Sequence, residues 1–321
     1  MTKYAIITSI LIVASIVYLK LAERFNIIDK PNERSSHTIS TIRGGGILFL
    51  IGAWLFFLFS DFQYPYLISG VTLIAIISFV DDIKTLSSKL RLPFQFIAVF
   101  LVLMQVGFPF SPIYVYIIAI ICGVGFINLY NFMDGINGIT GLYSLAVLFG
   151  IYLVNNDTQL IHPDLIRYLM LSILIFGYYN FRKKARFFAG DIGSISIAVL
   201  LFFMIVYFMY AYMAPVFILW IAVYGIDGCL TIAYRKKIGE KIMEPHRLHI
   251  YQKVVDTYKT PHLKISISYA VLQIIIGLIV YKTYELSLLV QAMVVFIVLL
   301  VLTVLYVLIF HKTKRILNSA N

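Results

Sequence analysis

Charged side chains are scarce in this sequence. Asp, Glu, Lys and Arg make up 13% of its 321 residues, against 61% hydrophobic ones. That shortage excludes an ordinary soluble domain, and the long apolar runs point to a polytopic helical membrane protein. Cysteine is rarer still. Cys122 and Cys229 both sit inside apolar runs, which removes a disulfide framework and a Cys-rich metal site. The first apolar run, Tyr4 to Leu19, has no small-residue cleavage signal and reads as a retained span, not a signal peptide. No repeat relates the two halves.

What is abundant is apolar sequence in span-sized pieces. A span needs about 20 mostly apolar residues, and eleven stretches approach this. They lie at about 4–20, 46–60, 64–80, 92–107, 112–127, 138–154, 164–180, 192–209, 213–233, 264–281 and 286–310. The predicted fold is all-α, with about 11 transmembrane helices in a single integral-membrane domain covering 1–321. All but three of the 26 basic residues fall in alternate loops and the C-terminal tail, leaving Lys3, Arg167 and Lys282 opposite. By the positive-inside rule the N-terminus is outside and the C-terminus inside. The net charge of +11 is therefore mainly a topology signal that also favours anionic lipid head groups. Nothing suggests a nucleic-acid module.

The polar residues of interest all lie on the predicted cytoplasmic side. Asn128-Leu-Tyr-Asn131-Phe-Met-Asp134-Gly135-Ile-Asn137-Gly138 places Asn128, Asn131 and Asp134 three apart, a helical ridge if the helix continues. Gly135 and Gly138 then allow a ligand to approach the backbone. Read blandly, this is a helix end with amide caps; an acid among amides and glycines at a membrane boundary favours a ligand site. Asp81-Asp82 ends the third span, where adjacent carboxylates are costly unless solvated, paired or metal-bound. Gly190-Asp191-Ile-Gly193-Ser194 opens the eighth span, either as an Asp-capped helix start or as a phosphate-binding N-terminus. It lacks the Gly-Lys-Ser/Thr ending of a P-loop. Arg43-Gly44-Gly45-Gly46 reads as a flexible basic loop or an anion cradle. His246-Arg247-Leu248-His249 is a surface pair or, on a helix face, a phosphate or metal contact. Asp227, eight residues before Arg235, is expected to face an inner vestibule.

Together these motifs resemble the polyprenyl-phosphate N-acetylhexosamine-1-phosphate transferase superfamily. Asp81-Asp82, Asn128-x-x-Asn131-x-x-Asp134-Gly135, Gly190-Asp191-x-Gly193-Ser194 and His246-x-x-His249 occur in that family's order. Asp29-x-Pro31-x-x-Arg34-x-x-His37 with Arg43-Gly44-Gly45 resembles its first loop, and Asp227 with Arg235 its ninth span. The likeness covers roughly residues 29 to 250.

The resemblance implies transfer of a sugar 1-phosphate from a UDP-sugar to undecaprenyl phosphate, with release of UMP, at the cytoplasmic face of a bacterial plasma membrane. It implies Mg²⁺, with Mn²⁺ as a substitute, and Asp191 as the principal metal ligand. Asp81 would activate or orient the lipid phosphate, and Asp82 would help organise metal or phosphate. Asn128, Asn131 and Asp134 would hold the nucleotide sugar, Asp134 counting among the catalytic acids. Arg43, His246, Arg247 and His249 would bind phosphate or line the donor pocket. The family often has a second acid where this chain has Asn137, so no metal or base role follows there, and Asn137→Asp is expected to keep substantial activity. The short His-Arg-x-His-x-Tyr-Gln form resembles the branch serving O-antigen, capsule or teichoic acid synthesis, with UDP-GlcNAc as default donor and FucNAc or QuiNAc donors as competitors. A homodimer is left open. The competing class is a transporter or lipid-linked-sugar flippase; against it, the acids cluster at one membrane face and not at the midplane.

Overall fold

A computed structural model of the chain describes residues 2–29, 40–241 and 246–319. The first-loop stretch 30–39, with Pro31, Arg34 and His37, and the pair Glu244-Pro245 lie outside the described residues.

Among the described residues the regular elements are helices, apart from a two-residue antiparallel pair, β1 (Ile28–Asp29) with β2 (Thr41–Ile42), and a single parallel bridge from Ile42 to Phe187. The helices are α1 (Thr2–Arg24), α2 (Ile47–Phe59), α3 (Pro65–Ile83), α4 (Ser88–Val106), α5 (Ile113–Phe132) and α6 (Ile139–Thr158). They continue with α7 (Pro163–Asn180), α8 (Gly190–Tyr212), α9 (Ala222–Lys237), α10 (Ile250–Tyr258), α11 (His262–Thr283) and α12 (Leu288–Ser319). A 3-10 segment, Pro215–Ile221, leads into α9.

Among the described residues nine helices are long and apolar enough to cross a membrane, counting Pro215–Lys237 as one. All eleven expected stretches are helical, but two fall short of that measure. α2 has only 13 residues, between Gly46 and Ser60. α7 opens on Pro163-Asp164 and carries Arg167, which dilutes its apolar character. The protein is a multi-pass helical membrane protein.

α8 is apolar on every face, and such a helix belongs in the interior. It stands at the centre, packed on α2, α3, α4, α5 and α6. α12 is at the other extreme, with only 17% of its apolar window buried; its exposed Leu289, Phe296 and Leu308 suit hydrocarbon. α6 and α11 cross closely where Gly150 meets Gly277, the small-residue contact that membrane helices use.

Helix breaks inside a bilayer need substitute hydrogen bonds. Where the 3-10 segment passes into α9, Gln273 of α11 provides them. Its Nε2 donates to the Leu219 carbonyl at 3.0 Å, and its Oε1 accepts the Tyr143 hydroxyl at 2.7 Å and the Val223 N–H at 3.4 Å.

The loops gather at two ends. One end is fastened by α1: Lys3 Nζ and the Tyr4 hydroxyl meet Asp164 at 2.6 and 2.8 Å. At the other end of α1 the Tyr18 hydroxyl donates to the Arg43 carbonyl at 2.6 Å. There the segment before α2 runs beside the segment before α8. Phe188 N–H donates to Ile42 O at 2.8 Å, Gly45 N–H to Phe188 O at 2.9 Å and Gly46 N–H to Ala189 O at 3.0 Å. Gly46 and Gly193 lie so close that neither has room for a side chain.

Candidate active site

This second end holds the candidate site. Asp81 and Asp82 come from the last turn of α3, Arg91 from the first turns of α4, Arg43 from the loop before α2, and Asp191 from the start of α8. The Asp82 side chain is fully buried. Its Oδ1 accepts the Asp191 N–H at 2.9 Å, its Oδ2 the Ile192 N–H at 3.1 Å, and Arg43 Nε stands 2.6 Å from Oδ1. Asp82 therefore caps α8 from another helix, where a negative group meets both free N–H donors and the positive dipole end. The α8 N-cap is Ala189 and has no side-chain bond of its own; Asp191 is not its own cap, one of the two readings of that motif.

With its backbone held by Asp82, Asp191 presents its carboxylate to two arginines. Arg43 approaches Oδ1 at 3.2 Å and Arg91 NH1 approaches Oδ2 at 2.7 Å. Arg91 NH1 also reaches Asp81 Oδ2 at 2.7 Å, while Asp81 Oδ1 accepts the Leu86 N–H at 2.5 Å. Three carboxylates and two guanidinium groups thus form one chain of ion pairs. Arg91 had counted only as a topology charge. A basic residue near a helix N-terminus opposes the helix dipole, and that was the available sign of a task.

Beside this chain lies a polar cavity of about 300 Å³. Its lining includes Asp29, Arg43, Asn131, Asp134, Asn137, Asp191, Gln252 and His262. Asp134 does not continue the Asn128–Asn131 ridge, because α5 ends at Phe132. Its Oδ1 accepts the Thr140 hydroxyl at 2.6 Å. Burial pushes its carboxyl up to about 6, against the opposing effect of the Thr140 bond. Asn131 accepts the Ser194 hydroxyl at 2.6 Å, tying the end of α5 to the start of α8.

Asn128 faces a different neighbour. Its amide exchanges two hydrogen bonds with Gln95 of α4, at 3.1 and 2.7 Å, and it does not line the cavity. Asn137 donates through Nδ2 to the carbonyls of Arg182 and Lys183 at 3.0 and 3.2 Å. Asn180 makes the complementary tie, accepting the Gly138 N–H and donating to Phe187 O, both at 2.7 Å. Gly138 turns the chain into α6 at φ +84°. Gly135 leaves room for Tyr251 and Gln252, which a side chain there would strike.

His246, Arg247 and His249 stand apart from the cavity lining. They do not share a helix face, because α10 begins at Ile250 with His249 as its N-cap. Arg247 pairs with Asp256, Nε to Oδ2 at 3.1 Å and NH2 to Oδ1 at 2.6 Å. The His246 and His249 rings are 4.8 Å apart, and burial holds the His246 imidazole down to about 4. Asp227 is buried and borders a small, mostly apolar pocket between α9, α10, α11 and α12, not a polar vestibule. It accepts the Ile250 N–H at 3.0 Å and the Tyr269 hydroxyl at 2.7 Å, and His249 Nδ1 lies 3.3 Å away. Asp227 thus anchors α10, and through it Gln252, against α9 and α11. Gln252 enters the sequence reading only as the last residue of the His-Arg-x-His-x-Tyr-Gln form, and His262 carries no pattern, being a lone His near a loop.

The helices bring acids and arginines together beside a polar cavity at one end of the bundle, and the comparisons point to a transferase. Residues 64–209 match the description glycosyl transferase family 4. The chain is 27% identical over 267 residues to the undecaprenyl-phosphate alpha-N-acetylglucosaminyl 1-phosphate transferase of Salmonella typhi, covering 74% of this chain and 71% of that protein. The enzyme of the same name from Escherichia coli (strain K12) is 25% identical over 266 residues, with the same coverage. The decaprenyl-phosphate N-acetylglucosaminephosphotransferase of Mycolicibacterium smegmatis is 25% identical over 288 residues, 73% of this chain and 70% of that one. The family match and these relatives support the polyprenyl-phosphate N-acetylhexosamine-1-phosphate transferases of glycosyl transferase family 4 as the chain's family.

Proposed function

We propose that this protein transfers an N-acetylhexosamine 1-phosphate from a UDP-sugar to undecaprenyl phosphate. The donor is UDP-GlcNAc or a related UDP-N-acetyl amino sugar, and the products are undecaprenyl-diphosphate-HexNAc and UMP. The observation that carries this reading is the meeting of Asp81, Asp82 and Asp191 with Arg43 and Arg91 beside a polar cavity that Asp134 also lines. The basic bias of its loops supports a cytoplasmic position for that end, where a soluble donor and a lipid acceptor would meet at the bilayer surface. The product would initiate a cell-surface polysaccharide such as O-antigen, capsule or teichoic acid.

The residues fit Mg²⁺ in one particular way. Asp191 and Asp134 both line the cavity, and the described residues contain no cluster of three or more His, Cys, Asp or Glu able to hold a metal. Mg²⁺ commonly takes one or two carboxylates, several waters and substrate phosphates. Asp191 would hold it, with Asp134 beside it and the donor diphosphate completing the shell. Bound there, the cation would neutralise diphosphate charge.

The protein's own groups supply positioning and charge. Arg43 and Arg91 now bind carboxylates, and a guanidinium suits phosphate equally well. An incoming diphosphate would draw on both. Asp81, tied to Arg91, would orient or deprotonate the acceptor phosphate. An acceptor oxygen attacks the sugar-bearing phosphorus, the bond from that phosphorus to the UMP oxygen breaks, and UMP leaves with the electron pair. Asp82 acts at one remove, by fixing the backbone that carries Asp191.

The test is direct. Purified protein in liposomes containing undecaprenyl phosphate, given radiolabelled UDP-GlcNAc and Mg²⁺, is expected to form labelled lipid and equimolar UMP. EDTA should stop the reaction and added Mg²⁺ restore it. Failure with every UDP-N-acetylhexosamine, or turnover of UDP-MurNAc-pentapeptide, would overturn the assignment at reaction or branch level respectively.

A further inference from the structure

Asn137 and Gln252 line the same cavity from different parts of the chain. Gln252 reaches over from α10 to the turn that carries Asn137: a methyl group on Gly135 would stand 3.1 Å from Gln252 Nε2. Both residues are nearly enclosed, with Asn137 5% and Gln252 8% exposed. Each amide has one end engaged by the protein itself, and this fixes which end is left.

For Asn137 the engaged end is Nδ2, which donates to two backbone carbonyls, Arg182 O at 3.0 Å and Lys183 O at 3.2 Å. Only an NH₂ group satisfies two acceptors, so Oδ1 is the remaining end. For Gln252 the engaged end is Oε1, which accepts the His249 N–H at 3.4 Å in the first turn of α10. Nε2 is the remaining end. Among the described residues neither Asn137 Oδ1 nor Gln252 Nε2 has a protein partner, and neither is sealed from the cavity. The wall therefore offers one fixed acceptor and one fixed donor.

We propose that this pair reads the acetamido group of the sugar donor. The group's N–H would donate to Asn137 Oδ1, and its carbonyl would accept from Gln252 Nε2. A secondary amide carries its donor and its acceptor on separate atoms, as two separate residues require. The hydroxyl of an unsubstituted hexose has both functions on one oxygen, and serves both partners only if that single atom lies within hydrogen-bond distance of Oδ1 and Nε2 together. A buried polar group left unpaired is costly, so such a wall selects for the amide. Asn137 and Gln252 are thus specificity-determining residues; the inference rests on the UDP-N-acetylhexosamine reading. A uracil ring presents a similar N–H and C=O edge, so the experiment must tell the two ends of the donor apart.

Equilibrium binding to the purified full-length protein serves this purpose, with UDP-GlcNAc, UDP-glucose and UMP as probes. Two variants are needed. Gln252→Glu keeps the acceptor for the His249 N–H but removes the Nε2 donor; Gln252→Met removes the donor without adding charge. Wild type is expected to prefer UDP-GlcNAc over UDP-glucose by at least about tenfold, and both variants to bring that ratio within about threefold. UMP affinity should be unchanged in Gln252→Met. A preserved ratio in both variants overturns the proposal. So does a loss of UMP affinity in Gln252→Met equal to the loss for UDP-GlcNAc, which would put the uracil or the fold at this wall. Turnover followed in parallel separates the two readings: selective binding without transfer would remove the transferase assignment and leave the acetamido contact standing.

Discussion

The carboxylate of Asp82 accepts the backbone N–H of Asp191 at 2.9 Å, so one acid forms the helix start on which the other is mounted. The two belong to α3 and α8, 109 residues apart. Two neighbouring acids in this site consequently have unlike tasks, and substitution should separate them.

Asp191→Asn keeps the backbone N–H and the side-chain volume. It is expected to melt within a few degrees of wild type and to lose nearly all turnover. Asp82→Asn replaces one of two accepting oxygens by an NH₂, which then faces a backbone N–H donor whichever way the amide is turned. It should lower stability by about 1–3 kcal/mol as well as activity. Thermal unfolding in detergent alongside a turnover assay decides this; equal melting temperatures for the two variants would count against it.

A pH dependence is expected from Asp134. Its carboxyl is raised to about 6, chiefly by burial, so folding disfavours the charged form. Ionised Asp134 costs stability above that value, and the cost fades as pH falls through about 6 toward the ordinary carboxylate range. Activity runs the other way, since the anion serves the site. The kcat/KM profile should show an acid limb with a midpoint near 6. Asp134→Asn should have low activity without that limb and gain stability at pH 7.5. A wild-type midpoint near 4 would refute the assignment.

For Asn137→Asp the structure reverses the expectation drawn from family pattern. A carboxylate there would face two carbonyl oxygens at the positions Nδ2 now occupies, at 3.0 and 3.2 Å. The loop leading to Asp191 would lose its tie to the turn carrying Asp134. At pH 8 activity is expected to fall at least about tenfold relative to wild type. The ratio should recover toward pH 6, because a protonated carboxyl regains one donor. Wild-type activity across that range would show the tie to be dispensable.

Sidedness can be read by labelling single cysteines with a membrane-impermeant thiol reagent, after Cys122 and Cys229 are replaced by serine. Ser87, Lys184 and Lys259 lie at the site end, and Asp61, Asn156 and Glu285 at the other; all six are exposed. Cysteines at the first three are expected to react only from the cytoplasm and at the last three only from outside. External labelling at position 184 would place the cavity on the wrong side for a nucleotide donor.

Much of this architecture was legible because apolar span length is a local property. The eleven expected stretches are all helical, including α2 and α7, which are too short or too polar to meet the span measure. The acids were legible too, since carboxylates at span ends need an explanation. What could not be read is pairing between distant segments. Nothing near Asn128 indicates that Gln95 occupies its amide, and nothing near Arg247 shows which of its neighbours would claim it. Asp227 was noticed, but its enclosure depends on α10 folding back onto α9 and α11.

The first helix is pinned at both ends, by Lys3 and Tyr4 to Asp164 on one side and by Tyr18 to the Arg43 carbonyl on the other. Much of its length between those pins is exposed, with Ile12, Val13 and Ile16 facing outward. It behaves as a gauge rod laid across the bilayer. A lipid layer thinner or thicker than the rod must tilt it or strain one pin, and the pin at the site end holds the residue that grips Asp82 and Asp191. Turnover in this protein should therefore respond to acyl-chain length even when donor, acceptor and cation are all saturating.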